Sequence, residues 1–238
     1  MIKQITVYLV MLLSFAGIGI VQAQKTFHQE WAFGVSGGVN FSTVSFRPKV
    51  LQKSLQGYLG GVTARWITEK YLGIQLEINL KQQGWDEAFE PTEGLPDNPV
   101  YTRKMMYADI PLFTHIYAES GKFRFFLNLG PQIGFFLGES TTENLNGTFL
   151  PNKPHAQHDL PVQRKFEWGL GGGPGLEFHS GIGYFLLEGR YYYALSDFYN
   201  TRRADAFSKA SYQVYLVKIT YLIPLALKSS KTIDRLSE

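Results

Sequence analysis

Ten charged side chains stand at alternating positions within stretches that otherwise read as apolar or glycine-rich. They are Glu77, Asp109, Glu167, Glu177 and Glu188, with Arg65, Lys81, Arg124, Arg190 and Lys218. Acids and bases sharing one face of a sheet can do one of two things. If they meet across an enclosed space, they neutralise one another and none is stranded. If water threads between them, they can pass ions or protons. Glu77, Glu188, Arg190 and Lys218 fall at a common depth, counted from the nearest short turns, and form the candidate charge cluster. The expectation is a structural plug of paired charges, with a narrow ion path as the alternative. No residue is assigned a catalytic, cofactor-binding or metal-binding role.

Three other patterns invite chemistry. His155, His158 and Asp159 lie within five residues and carry donors that suit a transition metal. Their spacing is not the helical i, i+4 pair of metalloproteases, and a solvated loop is the default. His115 and His179 lie near Ser120 and Ser180, as a nucleophile–base pair would require, but no Ser-His-acid spacing stands out. The run Gly171 to Gly175 resembles a phosphate loop, yet no Lys-Ser/Thr follows it and it lies inside a strand. Glycine there is expected to leave room for bulky neighbours or to permit a bend.

These residues need elements to hold them, and alternation supplies the elements. Side chains on a strand point to opposite faces with period two. Leu72, Ile74, Leu76, Ile78 and Leu80 alternate with Gly73, Gln75, Glu77, Asn79 and Lys81, so one face is aliphatic and the other polar. Stretches beginning at Phe123 and at Phe166 repeat the pattern. Five noisier strands are expected at 31–42, 57–68, 104–118, 183–195 and 211–224. That makes eight, most of them longer than the mean globular strand of about 5–6 residues and matching or exceeding the roughly 9–11 that cross a membrane at a tilt.

The connections between the strands run long, short, long, short along the chain. Glu69–Tyr71, Glu119–Gly121 and Ser180–Ile182 are short; 43–56, 86–103, 138–164 and 196–210 are long. An outer-membrane barrel has this form, with trimmed periplasmic turns and extended outer loops. The fold expected is all-β: an eight-stranded, antiparallel, up-and-down transmembrane β-barrel. Aromatics near the strand ends, among them Trp31, Trp66, Tyr71, Trp85, Tyr117, Tyr199 and Tyr212, are expected in the interfacial girdles. The third long loop carries Pro151, Pro154 and Pro161 and is expected to lack regular structure.

Residues 1–23 read as a secretory signal: Lys3, then an apolar run from Val7 to Ile20, then Val21-Gln22-Ala23 as a small-x-small cleavage site. The mature domain is expected over 24–238, with a polar tail at about 227–238. Cysteine is absent, which excludes disulfide staples and a lipid anchor on cysteine. A net charge of +3 is weak and argues nothing about nucleic acid, Lys and Arg form no basic stripe, and no nucleic-acid partner is expected. One alternative survives the alternation, because period two alone does not distinguish inside from outside. A soluble lipocalin-like barrel would carry the aliphatic face inward.

Tyr107-Ala108-Asp109-Ile110-Pro111-Leu112, Asn128-Leu129-Gly130-Pro131, Gly171-Gly172-Gly173-Pro174-Gly175-Leu176-Glu177 and Glu188-Gly189-Arg190-Tyr191 carry a family resemblance. Over about 31–225 the chain resembles the PorT-like outer-membrane β-barrel proteins of Bacteroidetes. That resemblance implies an eight-stranded barrel and a link to protein export through the type IX secretion system. The expected role is a non-enzymatic one in interaction or assembly, needing no cofactor. Outer-membrane lipid and other secretion or envelope proteins would be its partners, and its oligomeric state is left open. A narrow small-solute channel and a lipid-modifying hydrolase with a rim site are the other readings. Polar residues follow the eighth strand, whereas many outer-membrane barrels end on an aromatic residue.

Overall fold

The computed structural model describes residues 29–89, 96–145 and 156–225. The segment read as a signal, 1–23, and the polar tail lie outside them. Eight long strands follow in chain order: β1 Glu30–Arg47, β2 Leu55–Glu69, β3 Leu72–Glu87, β4 Val100–Ser120, β5 Phe123–Asn144, β6 Phe166–Ser180, β7 Gly183–Ala194 and β8 Lys209–Leu225. A two-residue strand, Gln52–Lys53, adds to the end of β3. One helical turn, α1, covers Ala156–Asp159.

Each long strand pairs antiparallel with its neighbour in sequence, and β1 pairs with β8 from Trp31↔Leu225 to Arg47↔Lys209. The meander therefore closes into a ring. Its short turns are two-residue loops, one residue or more tighter than the sequence suggests. Register pairs Glu69 with Leu72, Ser120 with Phe123, and Ser180 with Gly183. These turns mark the periplasmic rim.

Burial decides which face is inside. Ile78, Leu80, Val62, Phe125, Ile219 and Val217 point outward and are about half exposed. The intervening Glu77, Lys81, Thr63, Arg124, Lys218 and Thr220 are buried. An apolar outside around a polar inside is the polarity of a membrane barrel. It excludes the lipocalin-like arrangement.

Several strands outrun their sequence-based limits, and β4 at 21 residues is about twice the length needed to cross a bilayer. The reason, clearest in β1 and β3, is an inversion of polarity along the outer end. In β1, Asn40 and Ser42 face inward, but the next inward residues are Val44 and Phe46, while Arg47 faces out. In β3 the inward series Glu77, Asn79, Lys81, Gln83 is interrupted by Trp85 before Glu87. Above the lipid the strands read apolar-in and polar-out, as in a soluble sheet. Alternation traced from the membrane band loses its phase there. The outer connections shrink accordingly to 48–54, 88–99, 145–165 and 195–208.

Four aromatic assignments change. Trp85, Tyr199 and Tyr212 are buried in the upper interior, and Tyr117 is buried near the periplasmic end, so none of the four lies in a girdle. Trp31 and Trp66 do stack on the outer wall, with ring centroids 5.1 Å apart. In the glycine run, a Cβ on Gly175 would run into the inward-facing ring of Phe126. Gly175 is therefore the space that this ring occupies.

Leu76 lies in the middle of the outward aliphatic row of β3. Leu76→Arg is expected to destabilise the inserted barrel by about 2–4 kcal/mol, the cost of a cation at the bilayer midplane. Urea unfolding in lipid vesicles measures it, and an unchanged midpoint would contradict the orientation.

Candidate functional site

The interior is built in storeys. At the periplasmic end Ala32, Ile67, Tyr117, Phe126, Leu186 and Leu222 form a small apolar floor. Above it Glu177 takes ion pairs from Arg65 and, at 3.2 Å, from Arg124, which also pairs with Glu119 at the rim. Next come the four residues of the candidate cluster. Arg190 donates to Glu77 at 2.9 and 3.1 Å and to Glu188 at 2.8–3.0 Å. Lys218 Nζ donates to Glu77 Oε1 at 2.5 Å and lies 3.8 Å from Glu188 Oε2. Gln75 and Asn79 donate to Glu77, and Asn128 donates to Glu188.

The four arrive from three strands by register. Glu188 sits opposite Lys218 on the β7–β8 ladder. Arg190 lies two residues above Glu188 on the same face, and Glu77 reaches them across the ring from β3. All four are at most 4% exposed. Two acids facing two bases, with three amides donating to the carboxylates, leave no net charge in this storey. Breaking one member strands another, which is the costly case for a buried ion pair.

A third charged storey holds Lys81 and Asp109, 2.6 Å apart, with Gln132 donating to Asp109 and Gln83 to Glu167. All ten lumen charges noted in the sequence are thus buried and interior.

Over this lies an aromatic storey that includes Phe46, Trp85, Tyr101, Tyr107, Tyr192, Phe198, Tyr199, Phe207 and Tyr212. It carries the cap. Arg103 Nη1 donates to the carbonyls of Gln157 and Leu160, both at 2.8 Å, and reaches the Tyr199 hydroxyl at 3.0 Å. Its other edge holds Glu139 at 2.7–3.0 Å. Glu87 accepts from Gln157 and Trp85, and His158 Nε2 lies 3.1 Å from it. The His158 ring stacks on Tyr101 at 3.8 Å. Burial pushes the Tyr199 phenol well above its ordinary range, so it remains a neutral partner to Arg103. Residues 156–165 of the third outer loop thus fold down onto the mouth, against the expectation of an irregular solvated loop, because buried Arg103 and Glu87 satisfy that loop's backbone and side chains.

The remaining candidates are placed as follows. His158 pairs with Glu87, while His155 and the side chain of Asp159 lie outside the described residues. No group of three or more His, Cys, Asp or Glu gathers among the described residues. His115 is fully buried, with Nδ1 2.8 Å from Asn128 Oδ1. His179 Nε2 lies 2.6 Å from Glu177 Oε1, while Ser180 Oγ donates to the Gly183 carbonyl at 2.6 Å. Ser120 closes a turn opposite Phe123. Arg103, Glu87 and Gln157, which build the cap, carried no sequence signal. They fall in stretches that read as loops from the sequence, where the dense aromatics are the available clue.

A family model described as the outer membrane protein beta-barrel domain matches residues 22–200. The chain belongs to that family. Its compartment is the Gram-negative outer membrane. OprG, an outer membrane protein of Pseudomonas aeruginosa, is 15% identical, with a TM-score of 0.50 over 85% of this chain and 99% of that one. Outer membrane protein W of E. coli is 14% identical, with a TM-score of 0.42 over 84% and 100% of the two chains. The attachment invasion locus protein Ail of Yersinia pestis is 14% identical, with a TM-score of 0.41 over 82% and 99%. Likeness at these identities concerns the fold alone. No curated protein sequence matches the chain.

Arg190→Ala leaves Glu77 and Glu188 sharing Lys218 alone, and is expected to cost about 3–5 kcal/mol. Thermal unfolding in detergent would read this as a lower midpoint; an unchanged curve would contradict the plug. Arg103→Ala removes the donor to two loop carbonyls. Hydrogen bonds to charged groups are worth about 1.5–3 kcal/mol each, so proteolysis within 145–165 is expected to speed up by about tenfold or more.

Proposed function

We infer that this outer-membrane barrel serves as a non-enzymatic interaction or assembly protein, working through its outer rim, its periplasmic turns and the partners they meet. The observation that carries this reading is the filled interior. Charged side chains that would line a conducting path are engaged with one another, and the mouth above them is closed by an aromatic layer and α1. A lumen in that state leaves the surfaces as the working parts.

Within the family, the reading places the chain with the PorT-like barrels of Bacteroidetes, on the strength of the Ile110-Pro111-Leu112 and Glu188-Gly189-Arg190-Tyr191 runs. Its partners would then be outer-membrane lipid and components of a protein-export assembly, reached after removal of a signal at 1–23. Among the described residues, no arrangement specifically favours the channel or hydrolase readings.

The test is a pull-down of the tagged protein from outer membranes in mild detergent, with quantitative mass spectrometry. A stoichiometric set of envelope or export proteins is expected, together with an absence of conductance steps in planar bilayers. A solitary barrel that conducts would overturn the reading in favour of a channel.

A further inference from the structure

Above the apolar band, two cations stand directly opposite one another on the ladder that closes the barrel. Arg47 pairs with Lys209 at the outer end of β1 and β8, and both side chains point away from the interior. Like charges placed this way repel and destabilise a sheet. Among the described residues neither cation has an ion-pair partner. Lys209 Nζ donates instead to the Tyr193 hydroxyl at 3.0 Å, which fixes where its charge sits.

The pair borders an open pocket of about 460 Å³ on the outer wall, in the size range of small-ligand sites. Tyr193, Asp197, Ser208 and Ser211 complete its polar lining. Asp197 Oδ1 already accepts the Ala210 N–H at 2.7 Å. Two bases against one acid leave the pocket with a surplus positive charge.

Ser211 shares the outward face of β8 with Lys209, yet it is only 2% exposed and its Oγ has no hydrogen bond. A buried hydroxyl without a partner is costly. It lines the pocket beside the two cations, so an acceptor seated there would take its hydrogen bond together with theirs.

Depth identifies the occupant. Tyr191 and Tyr215 face outward on β7 and β8 with ring centroids 4.7 Å apart, as members of the outer aromatic girdle. Tyr193 is the next outward residue on β7 and already lines the pocket. The pocket therefore opens at the head-group level of the outer leaflet. Exposed Leu195 gives it one apolar side.

We propose that Arg47, Lys209 and Ser211 form a binding site for the phosphate group of an outer-leaflet lipid. Guanidinium and ammonium groups both donate charge-assisted hydrogen bonds to phosphate oxygens, and a serine hydroxyl can add a third donor. The bound anion relieves the repulsion between the cations, satisfies Ser211 and matches the surplus charge. The proposal rests on the outer-membrane placement and on lipid as a partner in the reading above; export partners are tested separately by the pull-down.

The protein, purified from outer membranes and delipidated in detergent, is titrated with bisphosphorylated lipid A, with the same lipid after dephosphorylation, and with inorganic phosphate. Microscale thermophoresis reads the binding. The phosphorylated lipid is expected to bind at least about tenfold more tightly than either other probe. Arg47→Gln and Lys209→Gln are each expected to weaken it by about tenfold, while Lys209→Arg retains it. Ser211→Ala is expected to weaken it several-fold without lowering the thermal midpoint of the lipid-free protein, because the hydroxyl removed has no partner there. Equal affinity for the dephosphorylated lipid would overturn the proposal, and so would unchanged affinity in both charge variants. Inorganic phosphate binding as tightly as the lipid would make this a site for free anions and overturn the lipid assignment. Should the variants fail to fold, amide hydrogen exchange of the wild type decides: slower exchange at 208–211 with the phosphorylated lipid supports the site, and unchanged exchange there refutes it.

Discussion

Everything in this molecule follows from the pairing of its first strand with its last. Inside a bilayer no water is available to unpaired backbone groups, so a sheet can cross only if it has no edge. The β1–β8 ladder, continuous from Trp31 to Arg47, removes the edge. Closure also creates an interior, and an eight-stranded interior is narrow enough to be filled by side chains alone. Once the outward positions are given to lipid-facing Leu, Ile, Val and Phe, the inward ones are free to be polar. A closed and narrow space then requires those polar groups to satisfy one another.

The interior meets that requirement by stacking separate solutions. An apolar floor lies at the periplasmic end, followed by the Glu177 pairs, the Glu77–Arg190–Glu188–Lys218 cluster and the Lys81–Asp109–Glu167 group. Buried ion pairs of this kind add little net stability over apolar packing of similar shape, but the loss of any single partner is costly. They also specify register. A strand slipped by one residue would turn Glu77 or Arg190 toward lipid, where a charge is least tolerated.

How much of this could be read from the chain varied with depth. Through the membrane band the reading was nearly complete, because Leu72 to Leu80 and their polar alternates fix a face and a depth together. Glu77, Glu188, Arg190 and Lys218 lie in reach of one another for the same reason. Above the band legibility failed. There Val44, Phe46 and Trp85 turn inward, so a pattern tuned to polar-in and apolar-out reads as noise and then as loop. Arg103 stood at the end of a presumed connection and gave no hint that it holds two carbonyls from a segment more than fifty residues away. Long-range pairing of that sort has no local signature. Which face of the alternation was interior also needed the fold.

The cap has a consequence for how the cell presents this protein. Barrel loops are usually pictured as flexible strings above the membrane. Here the upper third of the barrel has the polarity of a small soluble protein, with an aromatic centre and part of a loop pinned across it. Among the described residues, what antibodies, phages and neighbouring cells meet is therefore a folded surface. Its epitopes are assembled from strands distant in sequence, so peptides copied from single loops reproduce little of it. A change in the buried Arg103 or Glu87 would alter how the surface is seen without touching an exposed residue.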